Sequence, residues 1–131
     1  MPYREFPFLH IEVDEKDSVI TMDWDGTFTS AQFREAVTYC MELVAQKKLK
    51  YWLANSSRIG EIQPADQKWS SEVLLPRLSE LGVKKVALVI PEDLNSHLAI
   101  TTIMVRGKEK STFAANYFVK KKDALDWMLG K

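Results

Sequence analysis

The chain has 131 residues, 46% of them hydrophobic and 27% charged, a balance that belongs to a globular domain and excludes a disordered or low-complexity segment. Eighteen Lys and Arg against eighteen Asp and Glu leave a formal net charge of zero, so no global field draws the chain to nucleic acid or to an acidic membrane. The lone Cys40 excludes an internal disulfide and a Cys-rich zinc site, and the longest charge-free run, Leu94 to Val105, is too short to span a bilayer.

Leu9, Ile11 and Val13 alternate with polar neighbours, and Ile20, Met22 and Trp24 repeat the pattern after the polar run Asp14 to Asp17, which predicts a β-hairpin. A helix is expected from Ser30. Thr29 and Gln32 fit a capping box, and Phe28 with Phe33 fits the hydrophobic staple that accompanies one. Phe33, Ala36, Val37, Cys40, Leu43 and Val44 then hold helical spacing to about Lys48. Tyr51 to Ala54 is apolar on both pleat faces and reads as a central strand that the polar Asn55 to Arg58 ends.

Pro64 opens a second predicted helix through Trp69, Val73 and Leu74, kinked at Pro76 and closed by Gly82. Val86 to Ile90 is an unbroken apolar run, as in a buried parallel strand. Asp93 to Arg106 is expected to be helical despite its β-branched Thr101, Thr102 and Ile103. Thr112 to Val119 alternates as a last strand, and Asp123 to Leu129 forms a short helix capped by Gly130. The order ββαβαβαβα implies one α/β domain over residues 1–131, a single mixed and mostly parallel five-stranded sheet with helices packed against it. The first thirty residues hold seven acids against two bases and the last twenty-five hold six Lys against three acids. That asymmetry can orient an interaction, although such runs are more often solvated ends of elements.

Five widely separated glycines exclude a dinucleotide fingerprint and a phosphate-binding loop, and two histidines, His10 and His97, are too few for a three-His metal site. No cofactor and no metal are expected. Asp23 and Asp25 flank Trp24 at a strand end, so their carboxylates point the same way, yet without a nucleophile or metal motif they do not specify an active site. Cys40 falls on the apolar stripe of its helix and reads as a small buried hydrophobe. The four tryptophans belong mostly to the core; if Trp24 and Trp69 reach the sheet edge, they line a pocket for an apolar ligand.

The run Asn55-Ser56-Ser57-Arg58-Ile59-Gly60 sits just past the expected end of a central strand, where ligands and functional loops collect in open α/β folds. With the hairpin, the capped helix and the β-α alternation, it resembles the SpoIIAA-like superfamily, the STAS domains and their STAS/SEC14 relatives, over nearly the whole chain. In the anti-sigma-factor antagonists of that group the loop reads Asp-Ser-Ser-Gly-Leu-Gly, and the serine after the aspartate is phosphorylated. The resemblance sets Asn55 at the Asp, Ser56 at the phosphoacceptor, Ser57 at the second Ser and Ile59-Gly60 at Leu-Gly. Asn55 removes the carboxylate, and Arg58 replaces a glycine. Those departures, with Trp24-Asp25-Gly26 at the hairpin exit, are more similar to the STAS/SEC14 branch. Arg58 itself reads either as a surface salt bridge or as a fork for a phosphate or carboxylate.

The resemblance implies a non-enzymatic regulatory or protein-interaction domain, and the lone Cys40 with no charged-then-apolar leader at the N-terminus makes the cytosol the expected location. The domain binds a protein partner or itself, as a homodimer, through residues 55–60 and the neighbouring helix 65–75, with Ser56 the candidate phosphoacceptor. The alternative is a binder of a small apolar, lipid-like ligand, in a cavity lined by Trp24, Trp69 and the residues around Leu94 and Leu98. A hydrolase or transferase using Asp23, Asp25 or His97 ranks third, because spacing ties no two of these groups together.

Overall fold

A computed structural model describes residues 4–131. The hairpin is β1 (Leu9–Asp14) and β2 (Val19–Gly26), antiparallel, with Leu9 opposite Trp24 and Ile11 opposite Met22. Helix α1 (Ser30–Lys47) starts as its sequence specifies: Gln32 N–H donates to Thr29 Oγ1 at 3.1 Å, and Thr29 N–H donates to Gln32 Oε1 at 2.8 Å. The staple rings of Phe28 and Phe33 lie 5.4 Å apart.

Strand β3 (Tyr51–Ile59) runs parallel to β2. It is five residues longer than the expected Tyr51–Ala54, because Asn55 to Ile59 keep ladder pairing with the end of β2 instead of leaving the sheet as a loop. The expected second helix is continuous but composite: α2 (Pro64–Trp69), a π-helical turn over Ser70–Leu74, and α3 (Leu75–Glu80). Pro76 has no N–H to give, and its ring meets the carbonyl four residues back; the widened π turn falls just where that conflict has to be relieved.

Strand β4 (Lys85–Val89), helix α4 (Leu94–Gly107), strand β5 (Ala114–Phe118) and helix α5 (Lys121–Leu129) complete the ββαβαβαβα order, and the strands lie side by side as β1-β2-β3-β4-β5. Every parallel crossover therefore steps in one direction, and the right-handed rule puts α1, α2–α3 and α4 on the same face of the sheet. Ile20, Met22, Trp24, Trp52, Ala54, Val86 and Leu88 bury themselves against those helices in the main core. Among the described residues the opposite face is covered only by α5, where Leu53, Ala87 and Val89 meet Ala124 and Met128. The acids of the N-terminal segment and the C-terminal lysines are not kept apart, because α5 crosses that face and brings Lys121 to Asp23 of β2.

Candidate functional site

The C-terminal ends of β2 and β3 are held together unusually closely. Gly60 N–H donates to Gly26 O at 2.8 Å, and a Cβ on Gly60 would lie 2.5 Å from that same oxygen, so only glycine fits there. Gly26, at φ +100°, is in the region glycine favours. The two glycines that carried the family resemblance therefore have a local mechanical reason to be where they are.

Just before this clamp the ladder contains a bulge. Asp23 pairs with Asn55 and Asp25 with Arg58, which sets Ser56 and Ser57 of β3 against Trp24 alone. An extra residue reverses the in-out alternation of a strand. Ser56 and, beyond the bulge, Ile59 consequently both face the helices, whereas Arg58 comes out beside Asp25 on the other side.

On the outer face the polar residues form a chain of hydrogen bonds. Ser57 Oγ donates to Asn55 Oδ1 at 2.9 Å, Asn55 Nδ2 donates to Asp23 Oδ1 at 2.8 Å, and Lys121 Nζ, from the start of α5, donates to Asp23 Oδ2 at 3.1 Å. Asp25 stands apart, with Arg58 Nη2 at 3.5 Å; both side chains are largely exposed, the arrangement of a surface ion pair worth roughly 0–1 kcal/mol. The two carboxylates thus have separate cations instead of each other. His10 is exposed beside Glu12, and His97 lies apart on α4. Among the described residues no group of three His, Cys, Asp or Glu is placed to hold a metal ion.

On the inner face, Ser56 is only 3% exposed. It lines an apolar cavity of about 70 Å³ with Trp24 and Trp52 from the sheet, Phe33 from α1, Ser70 and Leu74 from the π turn, and Ile103 and Met104 from α4. Burial at this position counts against phosphorylation of Ser56 in the folded chain. The expected ligand pocket is also differently built. Trp24 lines the cavity, but Trp69 stacks edge-on against Phe33 beneath the Arg34 guanidinium, and Leu94 and Leu98 point outward from α4. Its volume falls well below the roughly 300–1,000 Å³ of sites for drug-sized ligands.

Two residues of the site escaped the sequence reading. Lys121 is 98 positions from Asp23, and no local pattern links them. Ser70 did leave a signal: it is a polar residue in line with Leu74 and Leu78 on the buried side of its helix. Next to the site, Asp66 is fully buried and accepts from Ser30 Oγ and Arg34 Nε, both at 2.7 Å. Cys40 is buried in α1 as expected, and burial pushes its thiol up from 9.0 to about 12.

No family model matches the chain, and no curated protein does. Among solved structures, it is similar to the crystal structure of an uncharacterized protein of the DUF3478 family with a SpoIIAA-like fold from Shewanella loihica PV-4, at 18% identity and a TM-score of 0.60, covering 92% of this chain and 91% of that one. The fold is SpoIIAA-like, as the sequence resemblance implied, and the mixed five-stranded sheet agrees with it. No helix among the described residues is long and apolar enough to cross a membrane.

Proposed function

We propose that this chain is a non-enzymatic protein-interaction domain of the SpoIIAA type, and that its docking face is the edge made by β5 and the outer side of α4. The observation that carries this reading is an apolar surface where an ordinary domain is polar. Leu94, Leu98 and Val105 form one stripe on α4, 67%, 54% and 71% exposed, and Tyr117 on the edge strand and Val119 just past its end are exposed too, Val119 at 76%. Between Val105 and Tyr117 runs a groove whose floor is Met104, Phe113 and Ala115 and whose rim carries Lys108 and Ser111, and partial burial raises the Tyr117 phenol above its ordinary range.

Strand β5 pairs with β4 on one side. From Ala114 to Phe118 it carries neither the lysine nor the proline that commonly protects a sheet edge. Such an edge suits addition of a partner's strand. Charge selects the partner. Arg106, Lys108 and Lys110 border one end of the strand and Lys120 and Lys122 the other, against only Glu109 and Asp123. A second copy paired antiparallel to β5 brings lysines against lysines at both ends, so the favoured occupant is a strand of a different protein with acidic flanks. The acids in and beside the candidate site support a non-catalytic reading, since Asp23, Asp25 and Asp66 each lie beside a cation.

The test is site-specific photo-crosslinking in cells from Val119, with Thr38 on the exposed side of α1 as the control position, followed by reconstitution with the purified cross-linked protein. The expected result is a cross-link from Val119 alone, weakened by salt, and slowed amide exchange over 114–119 in the reconstituted complex. Exchange protection of 114–119 that rises with the concentration of this chain alone would mean self-pairing and overturn the choice of partner. Protection elsewhere in the complex overturns the choice of face.

A further inference from the structure

We infer that the cavity lined by Trp24, Trp52, Ser56 and Ser70 is a binding site for a small, mostly apolar molecule carrying one polar group, of the size and kind of a short-chain alcohol or ketone. This does not depend on the docking face, which lies on the outer side of α4 and shares only Met104 with the cavity wall.

The cavity walls are almost wholly apolar, Met22, Trp24, Val37, Leu74, Ile103 and Met104 among them, and the two exceptions are the hydroxyls of Ser56 and Ser70. Ser70 is 1% exposed, and its Oγ finds no hydrogen-bond partner among the described residues. That is not what a helical serine ordinarily does. Buried in a helix, it bonds back to a carbonyl three or four residues earlier. Its neighbour Ser71 does so, with Oγ donating to Lys68 O at 2.9 Å, and Ser79 does so to Leu75 O at 3.4 Å.

Ser70 opens the π turn, and the widened backbone presents its side chain and that of Leu74 to the same cavity. π turns of this kind are frequent at functional sites. An orphan hydroxyl in an apolar chamber is a donor and acceptor waiting for one polar atom, with the surrounding wall ready for a hydrocarbon body. A water bridging the two hydroxyls is the competing occupant, and a ligand has to displace it while keeping a hydrogen bond to Ser70.

Size sets the rest of the chemistry. About 70 Å³ is roughly half of the 150 Å³ apolar cavity known to admit benzene. A body of roughly four or five heavy atoms is the upper range, reached by movement of the flexible Met22 and Met104 side chains.

The experiment is methyl NMR of the full chain, observing Met22, Ile103 and Met104, with two probes: xenon, which reports an accessible apolar cavity, and 2-butanol, which adds the polar group. Both probes are expected to shift those methyls in the wild type. In Ser70→Ala, xenon binding persists while 2-butanol binds about tenfold more weakly, the loss of one hydrogen bond. Ala54→Val, which fills the space from a strand position that tolerates β-branching, weakens both probes. Failure of 2-butanol to shift the cavity methyls, or equal 2-butanol affinity in the wild type and Ser70→Ala, overturns the assignment. Folding of each variant is checked by its amide spectrum, and xenon binding keeps the Ser70→Ala comparison interpretable.

Discussion

Replacing Gly60 by alanine separates two lines of reasoning that give opposite signs. Gly60 has no positive φ, so a backbone argument expects alanine to stabilise the fold by about 0.4–1 kcal/mol through the less flexible unfolded chain. The surroundings say otherwise. The new Cβ would sit 2.5 Å from Gly26 O, 3.0 Å from Thr27 Cα and 3.1 Å from Gly26 C, all of them backbone atoms that cannot rotate away. Relieving that overlap means separating the ends of β2 and β3. It strains or breaks the 2.8 Å hydrogen bond from Gly60 N–H, worth about 0.5–1.5 kcal/mol, and adds an overpacking cost of about 1–3 kcal/mol. After the entropic gain is subtracted, Gly60→Ala is expected to destabilise by about 2–3 kcal/mol. For a chain of this length that lowers Tm by roughly 10 °C. Urea unfolding followed by tryptophan fluorescence reads the change directly, since Trp24 is buried near the clamp. A Gly60→Ala protein as stable as the wild type refutes the clamp.

Two further predictions concern buried groups. Arg34→Ala leaves the carboxylate of Asp66 fully buried with Ser30 as its remaining side-chain donor and is expected to cost about 3 kcal/mol. Asp66→Ala releases an arginine that is 41% exposed and can turn to water, so it should cost only about 1–2 kcal/mol. Denaturation of the two single variants showing equal costs, or the reverse order, defeats this account. Cys40, whose thiol burial has pushed up to about 12, should react with a disulfide reagent at pH 8 only as fast as the chain unfolds. Its folded-state value lies above the unfolded 9.0, so its contribution to stability is complete below pH 9 and is lost as pH rises from 9 to 12. Labelling of the native chain at the rate of an exposed thiol contradicts the burial.

Much of the architecture was legible because it depends on local chemistry. The capping box at Thr29 and Gln32, the Phe28–Phe33 staple and the apolar run at Val86 are short-range patterns whose physical meaning is nearly independent of context. The hairpin and the element order followed from periodicity, and the SpoIIAA-like fold from that order. The polar stretch after Ala54 was different. Polarity usually ends a central strand, but among the described residues one face of this sheet is covered only by α5, and there Asn55 and Ser57 can stay in the ladder while bonding to Asp23 and Lys121. That depends on which face each helix covers, and topology determines it.

The bulge shows why the candidate site could not be read from its motif. With regular pairing from Tyr51 onward, Ser56 would still face inward, but Arg58 would follow it into the core and Ile59 would face out. One unpaired residue opposite Trp24 reverses this. The cation emerges beside Asp25, the isoleucine joins the cavity wall, and Gly60 arrives against Gly26. Ser56 therefore owes its burial to strand extension, whereas Arg58 owes its exposure to the bulge. A six-residue string that resembles a phosphorylation loop is here divided between two faces of a sheet. The chemistry it can perform divides with it, into an outward polar chain through Asn55 and Ser57 and an inward pair of hydroxyls, Ser56 and Ser70, in an apolar chamber.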